Sequence, residues 1–198
     1  MVYRILYLAI WITFTVIRIP YARAYKKIKK EKIIRSRLEK FLVFLNFIGM
    51  CLLPLGFIIF PTPEVLRIPL HRWAVVVSSI VLAMSLLLFY FVHKSLGRNW
   101  SPVLEIHEGH KLIQRGVYRY IRHPMYTQLW IFVIFQGLML QNWVVEIYGI
   151  LAWAVLYFIR VPAEEKMLIE TFGSDYKEYM EKAGRLLPAI IFSINQRL

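Results

Sequence analysis

Apolar runs dominate the chain, and their lengths predict its elements. Residues 41–60 and 73–92 are each twenty residues without a charge, about the ~20 that a helix needs to cross roughly 30 Å of hydrocarbon. A weaker run precedes them, uncharged over 5–17 between Arg4 and Arg18. With both arginines snorkelling outward and Tyr3, Tyr7 and Trp11 suited to an interface, it predicts a span over 2–19 that ends at Pro20. A fourth apolar region covers 127–145 and 147–159, interrupted by Glu146. Gln141-Asn142-Trp143 beside Glu146 reads as the polar tip of a helical hairpin. The pattern predicts an all-α integral membrane protein of about five transmembrane helices, including a C-terminal helical hairpin, with a cytoplasmic region built from the polar segments.

Beyond the hairpin the pattern changes. Residues 164–180 carry Met167, Leu168, Phe172, Tyr176 and Tyr179 at helical spacing, broken at Gly173. Residues 189–194 are apolar but too short to span, and are expected at the interface or against the bundle. Two regions follow: three N-terminal membrane helices over 1–93 with a basic loop at 21–40, and a polar-plus-hairpin region over 94–198.

Composition supports the membrane reading and excludes the main alternatives. Hydrophobic residues make up 59% of the chain, against roughly 45–50% in soluble domains, more than an interior of this size can hide. An aromatic share of 16% excludes a disordered chain. The single Cys51 leaves no intrachain disulfide and no cysteine metal cluster. The first apolar run is not followed by a small-residue cleavage site, so it is read as a retained helix.

Charge adds an orientation. The net charge is +13, and nine Lys or Arg fall within 21–40, opposed only by Glu31 and Glu39. Between two apolar runs, such a stretch is read as a cytoplasmic loop against anionic lipid rather than a nucleic-acid site. Segment 94–128 carries six Lys or Arg and 61–72 only two. The asymmetry puts 21–40, 94–128 and the tail from Arg160 in the cytoplasm, and the N-terminus outside. Nothing in the sequence indicates an oligomeric state.

Candidate chemistry sits on the cytoplasmic side. No Gly-x-Gly pair, Gly-x-Ser-x-Gly or His-Glu-x-x-His is present, so the usual nucleotide and zinc signatures are missing and no metal is expected. The segment from His110 to Tyr126 is basic, aromatic and polar, and runs into a membrane helix. Gly116 permits a turn, and Pro124 disfavours helical geometry at His123. Such a turn projects His123 and Tyr126 towards the mouth of the next helix, where free amides favour an anion. A juxtamembrane anchor of Arg and Tyr at headgroup level explains the same composition. Further on, Arg160 and Glu164 stand four apart, on one helix face. They read equally as a surface ion pair with Glu in a first turn after Pro162, or as a site in which a guanidinium grips a carboxylate bidentately.

The run Gly116-Val-Tyr118-x-x-x-Arg122-His123-Pro124-x-Tyr126, then Glu164-Glu165-x-x-Leu168-x-x-x-Phe172-Gly173-x-x-Tyr176-x-x-Tyr179 and Pro188, resembles the isoprenylcysteine carboxyl methyltransferase family. The likeness covers roughly 95–190. It implies a membrane enzyme that uses S-adenosylmethionine to methylate the carboxylate of a lipidated, isoprenylcysteine-like acceptor entering from the bilayer. It also implies cofactor-binding roles for His110, Lys111, Leu112, Ile113, Tyr118, His123, Pro124, Met125, Tyr126 and Glu164, and a substrate-binding, catalytic role for Arg160 beside Glu164. Where vertebrate members of the family place a Gln, seven residues before His110, this chain has Val103. The alternatives are a phospholipid or other small-lipid methyltransferase, an NADPH-dependent membrane reductase with a related C-terminal motif, and a non-enzymatic scaffold whose basic loop docks lipid.

Overall fold

A computed structural model describes residues 2–27, 30–33, 37–60, 63–103, 105–107, 109 and 111–189. The chain is almost entirely helical. Helix α1 runs Val2–Tyr25, α2 Arg37–Phe47, α3 Leu53–Ile59, α4 Arg72–Leu96, α5 Pro124–Leu140, α6 Trp143–Phe172 and α7 Ser174–Lys182. A π-helical stretch, Ile48–Leu52, joins α2 to α3. Four segments are long and apolar enough to cross a membrane: Val2–Tyr25, Arg37–Ile59, Arg72–Asn99 and Trp143–Phe172; Pro124–Leu140 is a shorter apolar helix. They make up the five expected helices.

Several boundaries differ from expectation. Helix α1 continues through Pro20 to Tyr25: proline's fixed φ is compatible with a helix, although the missing amide and the ring's clash with the preceding turn make it a weak point. Helix α6 likewise passes through Pro162, so Glu164 lies mid-helix and not in a first turn. The basic stretch 21–40 is trimmed at both ends, since α1 takes Tyr21 to Tyr25 and α2 takes Arg37 to Lys40. Two short strands also form, β1 (Lys30–Ile33) and β2 (Glu105–His107), paired antiparallel. The expected interfacial segment 189–194 lies, Ala189 apart, outside the described residues.

Helix α5 is the centre of the bundle. It is apolar all round, as a helix enclosed by others must be. Its Phe132, Met139 and Leu140 pack with Tyr7 and Ile10 of α1, Leu82 of α4 and Val145 of α6. On its other side Tyr126 and Val133 meet Leu42 of α2 and Trp153, Leu156, Tyr157 and Val161 of α6. Some polar groups inside are paired: the Tyr7 hydroxyl donates to Gln136 Oε1 at 3.0 Å, and Gln136 Nε2 donates to the Gly49 carbonyl at 3.2 Å, whereas the buried Gln128 side chain of the same helix has no hydrogen-bond partner among the described residues. The Gly49 carbonyl lies in the π-helical stretch before Pro54, where an insertion into the ladder leaves backbone groups free. Ile12, Phe44, Ile80, Leu87, Leu151 and Phe158 stay exposed, an apolar belt of the kind lipid covers.

The hairpin turns where its polar tip was expected. Gln141 adopts φ +53, and Asn142 Oδ1 caps α6 by accepting from the Val145 amide at 3.0 Å. A Cβ at Gly137 would stand 2.5 Å from Glu146 Cα, so a small residue lets α5 and α6 touch there. The Ile68 amide bonds the Gln141 carbonyl at 3.0 Å, which brings the segment 63–71 to the hairpin tip. At the opposite end β1 and β2 join the basic loop to the segment after α4. There too the Arg122 and His123 amides bond the Gly184 and Arg185 carbonyls at 2.8 and 3.0 Å, strapping the tail over the entry to α5.

Candidate active site

The strapped end of the bundle opens into a cavity of about 410 Å³, within the roughly 300–1,000 Å³ of small-molecule sites. One end is polar, formed by the segment before α5, by α6 and by α7. The other end is apolar and runs down between α1, α2, α4 and α5, past Phe14, Phe47, Met50, Phe89 and Phe132.

The polar wall is shaped by a glycine turn and a proline. Gly116 holds φ +62, a conformation that disfavours any side chain, and it starts a single 3₁₀ turn, Gly116–Arg119. This turn buries Tyr118, whose carbonyl accepts from the Tyr179 hydroxyl of α7 at 2.5 Å. Burial first, then the nearby Glu164 and Tyr179, hold the Tyr118 phenol well above its ordinary pKa, so it stays protonated. Pro124 opens α5, and His123 lies outside the helix at φ −124, ψ 56, as the proline requires.

Helix α6 faces this wall with two consecutive carboxylates. Glu164 Oε2 accepts from the Tyr126 hydroxyl at 2.5 Å, and Glu164 Oε1 stands 3.9 Å from His123 Nδ1. Glu165 is buried and takes the other side of the same ring, with His123 Nε2 3.2 Å from its Oε1. Arg122 Nε and Nη2 reach that oxygen at 3.4 and 3.3 Å, and Arg185 Nη2 reaches Oε2 at 2.6 Å. Arg122 Nη1 also donates to the carbonyls of Met180, at 2.8 Å, and Ala183. The Glu165 hydrogen bond is the main reason that Arg185 holds its proton more firmly than usual. Glu165 thus clasps three segments together, while Glu164 remains on the cavity wall.

One turn earlier on α6, Arg160 faces the cavity where polar and apolar ends meet. Its Nη2 donates to the Pro102 carbonyl at 3.2 Å, and Nη1 stands 3.7 Å from Glu39 Oε1 of α2. Its carboxylate partner is therefore Glu39 and not Glu164, and no ion pair joins Arg160 to Glu164 among the described residues.

Of the residues expected at a site, Lys111, Leu112, Ile113, Tyr118, His123, Met125, Tyr126, Arg160 and Glu164 line the cavity. Lys111 stands exposed on the rim, its backbone held by the Asn99 side chain at 3.3 and 3.4 Å. Pro124 is buried as the first residue of α5 and does not line the cavity. His110 lies outside the described residues. Val103, passed over in the sequence, does line the cavity. Sequence reasoning missed Glu39, Glu165 and Arg185. Glu165 stood in the quoted motif beside Glu164, and Glu39 was visible as one of two acidic residues in a basic stretch; no local signal marked Arg185. Among the described residues no group of three or more His, Cys, Asp or Glu could hold a metal ion.

Residues 74–170 match the profile of the isoprenylcysteine carboxyl methyltransferase family, so the likeness read from the motifs holds over that range. Among curated proteins the chain is similar to a probable protein-S-isoprenylcysteine O-methyltransferase of Oryza sativa subsp. indica, 38% identical over 96 residues, covering 48% of this chain and 50% of the relative. It is also similar to protein-S-isoprenylcysteine O-methyltransferase B of Arabidopsis thaliana, 32% identical over 97 residues, 48% and 49% of the two chains. The Saccharomyces cerevisiae protein-S-isoprenylcysteine O-methyltransferase is 32% identical over 96 residues, 48% and 40%. The chain spans about half the length, or less, of these relatives. A solved structure of a eukaryotic intramembrane Ras methyltransferase superposes with a TM-score of 0.56 at 22% identity, covering 79% of this chain and 54% of that one. The two share a fold.

Proposed function

We propose that this chain is a membrane methyltransferase that uses S-adenosylmethionine to methylate the carboxylate of a lipidated, isoprenylcysteine-like acceptor. The observation that carries the reading is the single cavity that joins a polar end, bearing Glu164, Tyr126 and Tyr118, to an apolar end within the bundle, with Arg160 at the junction. An aqueous cofactor and a lipid-borne acceptor need such a two-sided site. The family likeness over 74–170 supports the same reaction.

The donor set suits the cofactor. Glu164 offers a carboxylate to an amine or sulfonium, tyrosine rings offer aromatic faces to a cation, and the 111–113 and 116–126 segments form the walls. Bound there, S-adenosylmethionine would supply an electrophilic methyl group on a sulfonium. The chain's residues position and shield. Tyr126 orients Glu164 through its hydroxyl; Glu165 and Arg122 hold His123 in place; and Arg160, kept in place by Pro102 and Glu39, orients the acceptor carboxylate. That carboxylate is ionised at neutral pH, so no general base is needed. Alignment and exclusion of water supply the acceleration.

Labelled S-adenosylmethionine offered with farnesylcysteine, geranylgeranylcysteine and phosphatidylethanolamine tests the reading. Label is expected on a base-labile ester of the prenylcysteines. Transfer to the phosphatidylethanolamine amine alone would replace this function with a phospholipid methyltransferase. In detergent calorimetry, His123→Ala and Tyr126→Ala are each expected to weaken cofactor binding at least about tenfold, since each removes a hydrogen bond near a charged group. Unchanged affinity in both would return this segment to an anchoring role.

The cytoplasmic side is assigned on the positive-inside rule. With Cys51 replaced, Val65→Cys is expected to react with an impermeant thiol reagent from outside and Lys27→Cys only after permeabilisation. The reverse pattern would overturn the orientation.

A further inference from the structure

Of the four cationic side chains on the cavity wall, three have an evident role or position. Arg160 meets Glu39, Arg122 meets Glu165, and Lys111 stands on the outer rim. The fourth is Arg18, seven residues before the end of α1, hence roughly 10 Å inside that end of the helix. Its guanidinium lies 5.3 Å from the centre of the Trp100 ring, and it meets no carboxylate among the described residues. A charge inside a spanning helix is costly and marks a functional position by default. Arg18 is exposed, yet it lines the cavity with its guanidinium over Trp100 rather than lying on the lipid-facing side of α1 alone.

The surroundings hold it there. Trp100 packs on His93, ring centres 5.3 Å apart, and edge-on against Tyr25 at 6.2 Å. His93 is fully buried; its Nδ1 donates to the Phe89 carbonyl at 2.9 Å, and its ring meets Phe89 at 4.1 Å. Phe89 in turn stacks on Phe14, one turn before Arg18 on α1, at 4.1 Å. An aromatic wall thus fixes the π surface under the guanidinium. A ring contact uses the electrostatics of the cation and leaves its N–H donors free. What remains is a bidentate donor facing a cavity whose neighbouring wall is apolar.

We infer that Arg18 is a second acceptor-binding residue, which captures the acceptor's carboxylate as it arrives from the bilayer, ahead of Arg160. The inference rests on the acceptor reading above. A polyisoprenyl chain packs against Phe14, Phe89 and Phe132 while its charged end meets Arg18, the cavity-facing cation of α1. Arg160, already engaged by Glu39 and Pro102, then receives it at the reacting end. Capture and orientation are thereby divided between two guanidinium groups.

The division is read as a KM-against-kcat split. The full chain in phosphatidylcholine nanodiscs is assayed with N-acetyl-S-farnesylcysteine as acceptor and its primary amide as a neutral competitor. Arg18→Gln is expected to raise KM for the acid about 10- to 100-fold, the range for losing a hydrogen bond to a charged group. Saturated turnover, amide inhibition and cofactor affinity stay near wild type, and Arg18→Lys recovers part of KM. An unchanged KM overturns the inference and leaves the methyltransferase reading intact. A parallel rise in KM and in the amide constant also overturns it, because Arg18 would then only brace the wall. Loss of activation by added phosphatidylglycerol, with KM for the acid unchanged, would assign Arg18 to a lipid phosphate instead. If the wild type methylates no acceptor, the methyltransferase reading fails, and calorimetry decides separately. A wild-type preference for acid over amide that Arg18→Gln removes still supports an anion site at Arg18; no preference overturns it.

Discussion

Arg160→Ala is expected to lose most turnover, about a hundredfold or more, while cofactor affinity stays close to wild type. The magnitude follows from geometry, since misplacing a reacting group by about an ångström costs on the order of a hundredfold. Arg160 is well placed to set that geometry: its Nη2 is fixed on the Pro102 carbonyl and Nη1 faces Glu39, so the guanidinium plane is set before any acceptor arrives. Removing it takes away the guanidinium that stands 3.7 Å from the buried Glu39, which lowers stability as well as turnover. The double variant Arg160→Ala/Glu39→Gln removes both charges and separates a folding defect from lost orientation; it should melt near wild type and remain inactive. Arg160→Lys keeps the charge and loses the planar fork. Partial rescue would show that charge dominates, and none that bidentate geometry does. Glu164→Ala is expected to behave oppositely, losing cofactor affinity first. Wild-type turnover in Arg160→Ala would reduce the arginine to a boundary anchor and shift the acceptor towards an amine-bearing lipid.

Glu165→Ala is expected to be the most destabilising single change at the polar end. The carboxylate is buried and serves Arg122, His123 and Arg185 together. Arg122 is buried too, its side chain 10% exposed, so it would be left as an uncompensated cation. Breaking one partner of a buried ion pair costs about 3–5 kcal/mol. The Arg185 arm adds little, because that side chain is half exposed and water replaces its partner. Melting in detergent, followed by tryptophan fluorescence, should therefore show a large loss for Glu165→Ala and a small one for Arg185→Ala. Cofactor affinity should fall with Glu165→Ala even below its melting range, as His123 loses its fixed orientation. A melt within about 1 kcal/mol of wild type, the ordinary range for exposed pairs, would show that the clasp is no more than surface pairing.

Much of this architecture was legible without coordinates. Uncharged runs of about twenty residues can only be covered by lipid or by other helices, so the spans at 41–60 and 73–92 followed from length alone. The hairpin followed from the one polar interruption, Gln141 to Glu146, and turns at that point. The turn that presents His123 and Tyr126 followed from a proline and a glycine, whose backbone restrictions act locally, while the other residues of the polar wall followed only from the family likeness. The boundary at Pro20 was misread, and of the two readings of Glu164 the first turn after Pro162 is the one that fails, because both prolines lie inside continuous helices.

What the sequence by itself determined, then, is what depends on neighbours along the chain: membrane spans, the turn of the hairpin, the break before α5, the shared face of Arg160 and Glu164. What only the tertiary structure decided is which charge meets which. Arg122 and Glu165 are 43 residues apart, and Glu39 and Arg160 come from different helices at opposite ends of the chain. Coulomb attraction between them is felt only once packing has brought them within a few ångströms and removed the water between them. Two adjacent glutamates on α6 therefore take different parts, Glu165 in a buried clasp and Glu164 on the cavity wall, because successive residues on a helix point about 100° apart. Arg18 lines the cavity for the same kind of reason: Trp100, carried by a loop some eighty residues on, offers it a face that its own helix cannot.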